Sequence, residues 1–224
     1  MFSEAWEGRF SQGKSHSLFP WTDLISYISK YRKIERGDKV LELGPGVGAN
    51  IPYFLSRGAE YYAIEGSKTA VSEIIKRFPE LKDRIVVGDF TEAIPFPDKF
   101  KLVIDRGSIT HNSTVGIQKA LKMVHDKLDN DGKYFGIDWF SWFHGERPRG
   151  KNEDDIYTYS FEDGKLEGHG KVHFSTKSHL FEMFIDADIR IEVLHHKTIQ
   201  GKLISDDPEN IQATWNVVGR KMKA

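Results

Sequence analysis

The chain reads as an α/β sandwich, a mostly parallel sheet with helices on both faces. Three observations predict this. Short apolar strands alternate with amphipathic helices from residue 39 to residue 138, a glycine-rich turn joins the first strand to its helix, and 224 residues fill one such core without leaving enough chain for a second. Strands separated by helices pair in parallel, because only a crossover returns the chain to the same end of the sheet. Ligands of such sheets bind outside the carboxyl ends of the strands.

Each element has its own warrant. Leu24, Ile25, Ile28 and Tyr31 keep helical spacing behind Pro20, which predicts a leading helix over 21–31. Residues 39–43 form a buried strand. A helix opens at Asn50 with Pro52 in its first turn and stops at Gly58. Residues 61–65 are the second strand, and Ala70, Val71, Ile74, Ile75 and Phe78 share one face of the next helix. Strands follow at 85–87 and 101–105, then a helix marked by Ile117, Ala120, Leu121, Val124 and Leu128. Asp129-Asn130-Asp131-Gly132 predicts a turn into a fifth strand over 133–138. Residues 140–171 lose periodicity and carry six glycines and prolines among aromatic and charged residues, as expected of an inserted lid at about 140–172. A helix over 178–185 and two extended segments, 191–199 and 212–218, joined through Asp206-Asp207-Pro208, read as a helix and an antiparallel hairpin. The whole, 1–224, is expected to be one domain with an N-terminal cover at 1–35.

Composition narrows the partners. Lys plus Arg total 32 and Asp plus Glu 33, a formal charge of −1, so no general field gathers nucleic acid or a membrane surface. The absence of cysteine removes disulfides, thiolate metal sites and a thiol nucleophile. Residues 1–10 mix Glu4, Glu7 and Arg9 with aromatics and offer no signal core or membrane span, so a cytoplasmic location is expected. His169 and His173 have helical metal-ligand spacing but sit among glycines, no H-E-x-x-H run occurs, and no metal is expected.

The chemistry concentrates after the first strand, in Val40-Leu41-Glu42-Leu43-Gly44-Pro45-Gly46-Val47-Gly48-Ala49-Asn50. Three glycines at alternate positions let the backbone turn tightly and come close to a nucleotide-like ligand. Gly44, Gly46 and Ala49 also satisfy the looser dinucleotide fingerprint, so an NAD(P)-dependent oxidoreductase is the alternative. With Glu65 ending the second strand, Gly88-Asp89-Phe90 after the third and Asp105 ending the fourth, however, the segment resembles the class I S-adenosylmethionine-dependent methyltransferases. The likeness runs from about residue 21 to the last strand. It implies a Rossmann-like three-layer sandwich whose seven-stranded, mostly parallel sheet ends in an antiparallel strand.

The resemblance implies that Glu42, Gly44, Gly46, Gly48, Glu65, Asp89, Phe90 and Asp105 hold S-adenosylmethionine and release S-adenosylhomocysteine. Glu65 would accept the ribose hydroxyls, and Asp89 the adenine amino group with Phe90 beside the ring. Asp105-Arg106-Gly107-Ser108-Ile109-Thr110-His111-Asn112 lies where such enzymes present residues to the methyl acceptor. It lacks the Asn/Asp-Pro-Pro-aromatic run of base-amine methylation, which argues for a small molecule over nucleic acid. Asp105, Arg106, Ser108 and His111 are the catalytic candidates. His111 is the expected base if the acceptor is a hydroxyl, and Arg106 is expected to hold an anionic group or pair with Asp105. An oxygen of a metabolite or sugar derivative is the expected acceptor, with nitrogen or sulfur acceptors as alternatives. A non-catalytic cofactor-binding protein is the remaining alternative.

Overall fold

The computed structural model describes residues 3–201 and 211–222. The chain begins with α1 (Glu4–Ser11) and α2 (Thr22–Tyr31), then enters the sheet through β1 (Lys39–Leu43), α3 (Ile51–Ser56), β2 (Glu60–Glu65), α4 (Lys68–Arg77), β3 (Ile85–Val87) and β4 (Phe100–Arg106). It continues with α5 (Thr114–Lys127), β5 (Leu128–Phe140), the short strands β6 (Lys151–Asn152), β7 (Thr158–Ser160) and β8 (Val172–His173), α6 (Lys177–Asp186), β9 (Ile189–Gln200) and β10 (Ile211–Lys221). Among the described residues the large sheet has seven strands in the order β3-β2-β1-β4-β5-β10-β9. β10 runs antiparallel to both its neighbours, so the antiparallel strand is last in the chain but second from the edge.

Alternation along the strands sorts side chains to two cores. Val40, Leu102, Ile104, Phe135 and Ile137 face α2, α3 and α4, where Leu24, Ile28, Ile51, Phe54 and Ile74 cover them. Leu41, Leu43, Val103, Tyr134 and Trp139 face α5 and α6, under Ile117, Leu121, Val124, Leu180, Met183 and Phe184. Each core buries apolar area at roughly 25 cal/mol per Å², the main term favouring the folded chain.

Three features depart from expectation. The predicted turn at Asp129–Gly132 is a bulge inside β5: Phe100 pairs with Leu128 and Leu102 with Lys133, so the extra residues loop out while pairing continues. The predicted lid, 140–172, carries its own three-stranded sheet, β6-β7-β8, over a cluster of Phe161, Leu166, Val172 and Phe174. Phe140 and Trp142 pack against that cluster. Residues 4–11 form a helix that the sequence does not announce, since Gly8 interrupts a weakly amphipathic run. The Asp206-Asp207-Pro208 turn lies outside the described residues. No helix among those residues is long and apolar enough to cross a membrane.

Candidate functional site

A cavity of about 920 Å³ opens at the carboxyl ends of the strands, the place the sheet topology dictates. Its floor at one end is the loop after β1. Gly44, Gly46 and Gly48 all have positive φ, at 66°, 57° and 83°. At Gly44 a Cβ would stand 2.4 Å from Ser108 Cβ, so only glycine lets the loop lie against the turn after β4. Gly48 serves packing instead: a Cβ there would meet Ile51 and Ile74, and the residue does not line the cavity. It is therefore not placed to touch a cofactor.

Two buried carboxylates fix this loop. Glu42 accepts hydrogen bonds from Asn50 Nδ2, 2.8 Å, and from the Tyr61 hydroxyl. Asn50 spends its side chain there and on the Trp21 amide, 3.1 Å, so it ties α2 and β1 together instead of capping α3. Glu65 accepts from the Gly46 and Ser67 amides, both at 2.9 Å. Burial pushes each carboxyl up to about 7, against the hydrogen bonds that favour the ionised form. Asp89 accepts from the Thr91 amide and hydroxyl at 2.8 and 2.6 Å, and its carboxyl is held low by those bonds against the opposing effect of burial. Glu42, Gly44, Gly46, Glu65, Asp89 and Phe90 all line the cavity.

Asp105 corrects an expectation. Its side chain is wholly buried and does not line the cavity. Oδ1 accepts from the Ser108 and Ile109 amides at 2.8 and 2.9 Å and from the Ser108 hydroxyl, while Oδ2 accepts from Trp139 Nε1 at 2.6 Å and the Tyr134 hydroxyl at 3.3 Å. This carboxylate shapes the turn that presents its neighbours and faces neither acceptor nor cofactor. Arg106 does line the cavity, but its partner is Asp138, at 2.8 Å, and not Asp105. Its guanidinium lies 3.6 Å from the centroid of the Trp21 ring. Ser108 reaches the cavity while its hydroxyl is engaged by the Leu43 carbonyl and Asp105.

His111 also lines the cavity, beside Trp6, Phe140 and His169. Nδ1 lies 3.0 Å from the Lys171 carbonyl, so Nδ1 carries the proton and Nε2 the lone pair. Desolvation, with His169 and Arg9 adding to it, pushes the imidazole down to about 3. Such a ring is neutral at working pH and a weak proton acceptor. His169 and His173, the pair with metal-ligand spacing, are not on a helix: His169 packs on Trp6, and His173 in β8 contacts His179.

The far end of the cavity holds groups that the motif reading passed over. Asp138, two residues before the end of β5 and with φ of 57°, accepts from Arg106 and from Lys197 Nζ at 2.6 Å, and Lys197 also donates to Asp23 at 2.5 Å. Asp23, Asp138, Lys197 and Thr214 line the cavity with Trp21. The signal for Asp138 was present, a carboxylate ending the strand expected over 133–138, as Glu65 ends its own; Lys197 had none. The roof is α1 and the insert. Glu7 accepts from the Ser67 and Thr69 hydroxyls, at 2.6 and 2.5 Å, over the start of α4, and Phe10 lies where a Cβ on Gly46 would reach to 3.3 Å.

Residues 40–132 match a family model described as a methyltransferase domain, and they carry the glycine loop, Glu65 and Asp89 of this cavity. That segment resembles a methyltransferase domain, and the fold of the whole chain is that of class I methyltransferases. The chain is similar, at 45% identity over 51 residues, to ribosomal RNA small subunit methyltransferase A of Porphyromonas gingivalis; the match spans 23% of this chain and only 20% of that relative. Its fold is that of an S-adenosylmethionine-dependent methyltransferase from Methanosarcina mazei, with TM-score 0.71 and 16% identity over 92% of this chain and 100% of the other. A second, from Clostridium acetobutylicum, gives 0.63 and 13% over 100% and 93%. The cofactor named for these structural neighbours is S-adenosylmethionine, and the cradle suits it: acceptor oxygens on Glu65 and Asp89, an aromatic edge at Phe90, and a loop whose bare Cα positions leave room for a close ligand.

Proposed function

We propose that this chain transfers a methyl group from S-adenosylmethionine to an oxygen of a small metabolite or sugar derivative. The observation that carries the reading is one roofed cavity in which the cradle of Gly44, Gly46, Glu65, Asp89 and Phe90 faces a polar wall made by Arg106, Asp138 and Lys197. When bound, the cofactor supplies a methyl group activated by its sulfonium. Glu65 and Asp89 fix the ribose and adenine ends, and Glu42 holds the glycine loop through Asn50. Arg106 and Ser108 stand at the turn between the two ends.

Because a sulfonium leaves as a neutral thioether, alignment and exclusion of water carry much of the rate. The cover at 1–35 and the lid at 140–172 serve that exclusion, as parts of one methyltransferase domain over 1–224. His111, neutral and weakly basic, acts in this reading by packing the roof and orienting the acceptor, and the hydroxyl proton passes late in the transfer to the Asp138 carboxylate in the same cavity. An RNA acceptor is the second reading, favoured by the names of the ribosomal RNA relatives; the formal charge of −1 and the roof weigh against it.

Calorimetric titration with S-adenosylmethionine, S-adenosylhomocysteine and NAD tests the cofactor, and transfer of labelled methyl to a panel of sugars, small aromatics and short RNA tests the acceptor. Saturable binding of the two sulfur ligands without NAD, followed by transfer to a small molecule, is expected. Binding of NAD alone points to an oxidoreductase, binding without any transfer to a non-catalytic cofactor protein, and transfer to RNA alone replaces the small-molecule reading.

A further inference from the structure

The polar wall at the far end of the cavity is a line of four charges in alternating order. Asp23 touches Lys197 at 2.5 Å, Lys197 touches Asp138 at 2.6 Å, and Asp138 touches Arg106 at 2.8 Å. The four come from α2, β9, β5 and β4, so no local sequence or helix-face requirement brings them together. None is deeply enclosed: side-chain exposure runs from 17% at Asp138 to 39% at Asp23, and all four line the cavity. The backbone at Asp138 holds a left-handed φ of 57°, unusual for a residue with a Cβ, and its amide is pinned by Asn216 Oδ1 at 2.9 Å. A strained residue held from several sides is a common mark of a ligand-facing position.

The order of the charges sets what can bind beside them. Each cation already contacts a carboxylate, and the set sums to zero. A charged ligand would have to displace one of these contacts or sit next to a like charge, either of which is costly in a partly desolvated site. A hydroxyl meets no such conflict. It donates to a carboxylate and accepts from a neighbouring ammonium or guanidinium N–H, and several hydroxyls spaced along the line repeat that pattern. Arg106 keeps further donors: Nε is buried with no partner among the described residues, while one face of the guanidinium is covered by Trp21.

We infer that Asp23, Lys197, Asp138 and Arg106 form the acceptor subsite and select an uncharged, hydroxyl-rich acceptor over its acidic or amino analogues. The inference rests on the methyltransferase reading for the word acceptor. The ligand preference itself is a property of the wall and is read without the cofactor.

The test is equilibrium binding of three matched probes, methyl glucoside, glucuronate and glucosamine, to the full chain, with and without S-adenosylhomocysteine. The uncharged sugar is expected to bind at least about tenfold more tightly than either charged one. Asp138→Asn leaves two cations facing one carboxylate and should shift the preference toward glucuronate by about tenfold or more, with S-adenosylhomocysteine affinity unchanged. If that variant does not fold, Lys197→Met gives the mirror experiment, a shift toward glucosamine. Equal or tighter binding of a charged probe to the unaltered chain, no binding of the uncharged sugar, or a preference indifferent to the substitution that folds overturns the subsite. Failure to bind S-adenosylhomocysteine while the sugar preference holds would instead sink the methyltransferase reading and leave the wall's selectivity standing.

Discussion

At the β1-β2-β3 end of the cavity the walls come from three segments at or just after a strand end, residues 44–47 with 49–50, 65–66 and 88–90, and two of the polar fixings are main-chain amides on Glu65. At the β4-β5-β10-β9 end the walls come from α2, the turns after β4 and β5, the insert and the hairpin, and side chains fix one another. The first end depends on backbone shape, the second on pairing between residues up to 174 positions apart, as in Asp23 and Lys197. Backbone shape is tied to glycine and leaves a sequence trace. Long-range pairing leaves none, and it is free to change with the ligand.

The largest expected effect falls at the junction. Asp105→Ala strands the Trp139 indole N–H and the Ser108 and Ile109 amides in a buried position, and each donor left unpaired costs about 1–3 kcal/mol. A thermal melt should show a fall of roughly 10 °C or more, and a melt within a few degrees of the parent would mean that the two ends do not share this hinge. Next, Gly44→Ala places a Cβ 2.4 Å from Ser108 Cβ at positive φ, at a cost of about 1–3 kcal/mol in strain alone. S-adenosylhomocysteine affinity should drop about a hundredfold while the Asp23 to Arg106 wall keeps its sugar preference; loss of both together would blur the division between the ends.

Glu65 offers a finer test. Its carboxyl is pushed up to about 7 by burial, and in the proposed role the ionised form is the one that accepts the two ribose hydroxyls. Cofactor affinity should therefore fall below pH 7, by up to about tenfold per unit, and level off above it. Glu65→Gln should bind more weakly at high pH and show no such slope, as read by calorimetry from pH 6 to 8. The smallest effect is expected at His111. With its imidazole pushed down to about 3, His111→Ala should lower turnover by less than about tenfold and leave the pH-rate profile near neutrality unchanged; a loss of about a hundredfold or more, the range of a general base, would restore it to the chemistry.

The same division explains what the sequence disclosed. Strand and helix periodicity placed every element of the large sheet, and the 85–87 strand matches β3 residue for residue. Glycine, a carboxylate at a strand end and Asp89-Phe90 mark residues that the fold brings to one cavity. The misses have physical causes. Asp129–Gly132 has turn chemistry, and only its partner strand decides that the excess becomes a bulge. Asp105 carries the same signature as Glu65, and its burial depends on Trp139 and Tyr134 arriving from β5. β6, β7 and β8 are two or three residues long and, unlike β3, are not bracketed by the regular alternation of strand and helix that locates a short apolar run.

The roof over the glycine loop is a helix, and its latch is a set of side-chain bonds. Glu7 meets Ser67 and Thr69, Arg9 donates to the Glu167 carbonyl at 3.3 Å, and Phe10 leans on Gly46. Trp6 adds ring contacts with His111 and His169, and Phe10 shares a small apolar cluster with Val47 and Ala70. The roof is thus fastened by side chains alone, whereas the frame beneath it is joined by the rungs of the sheet.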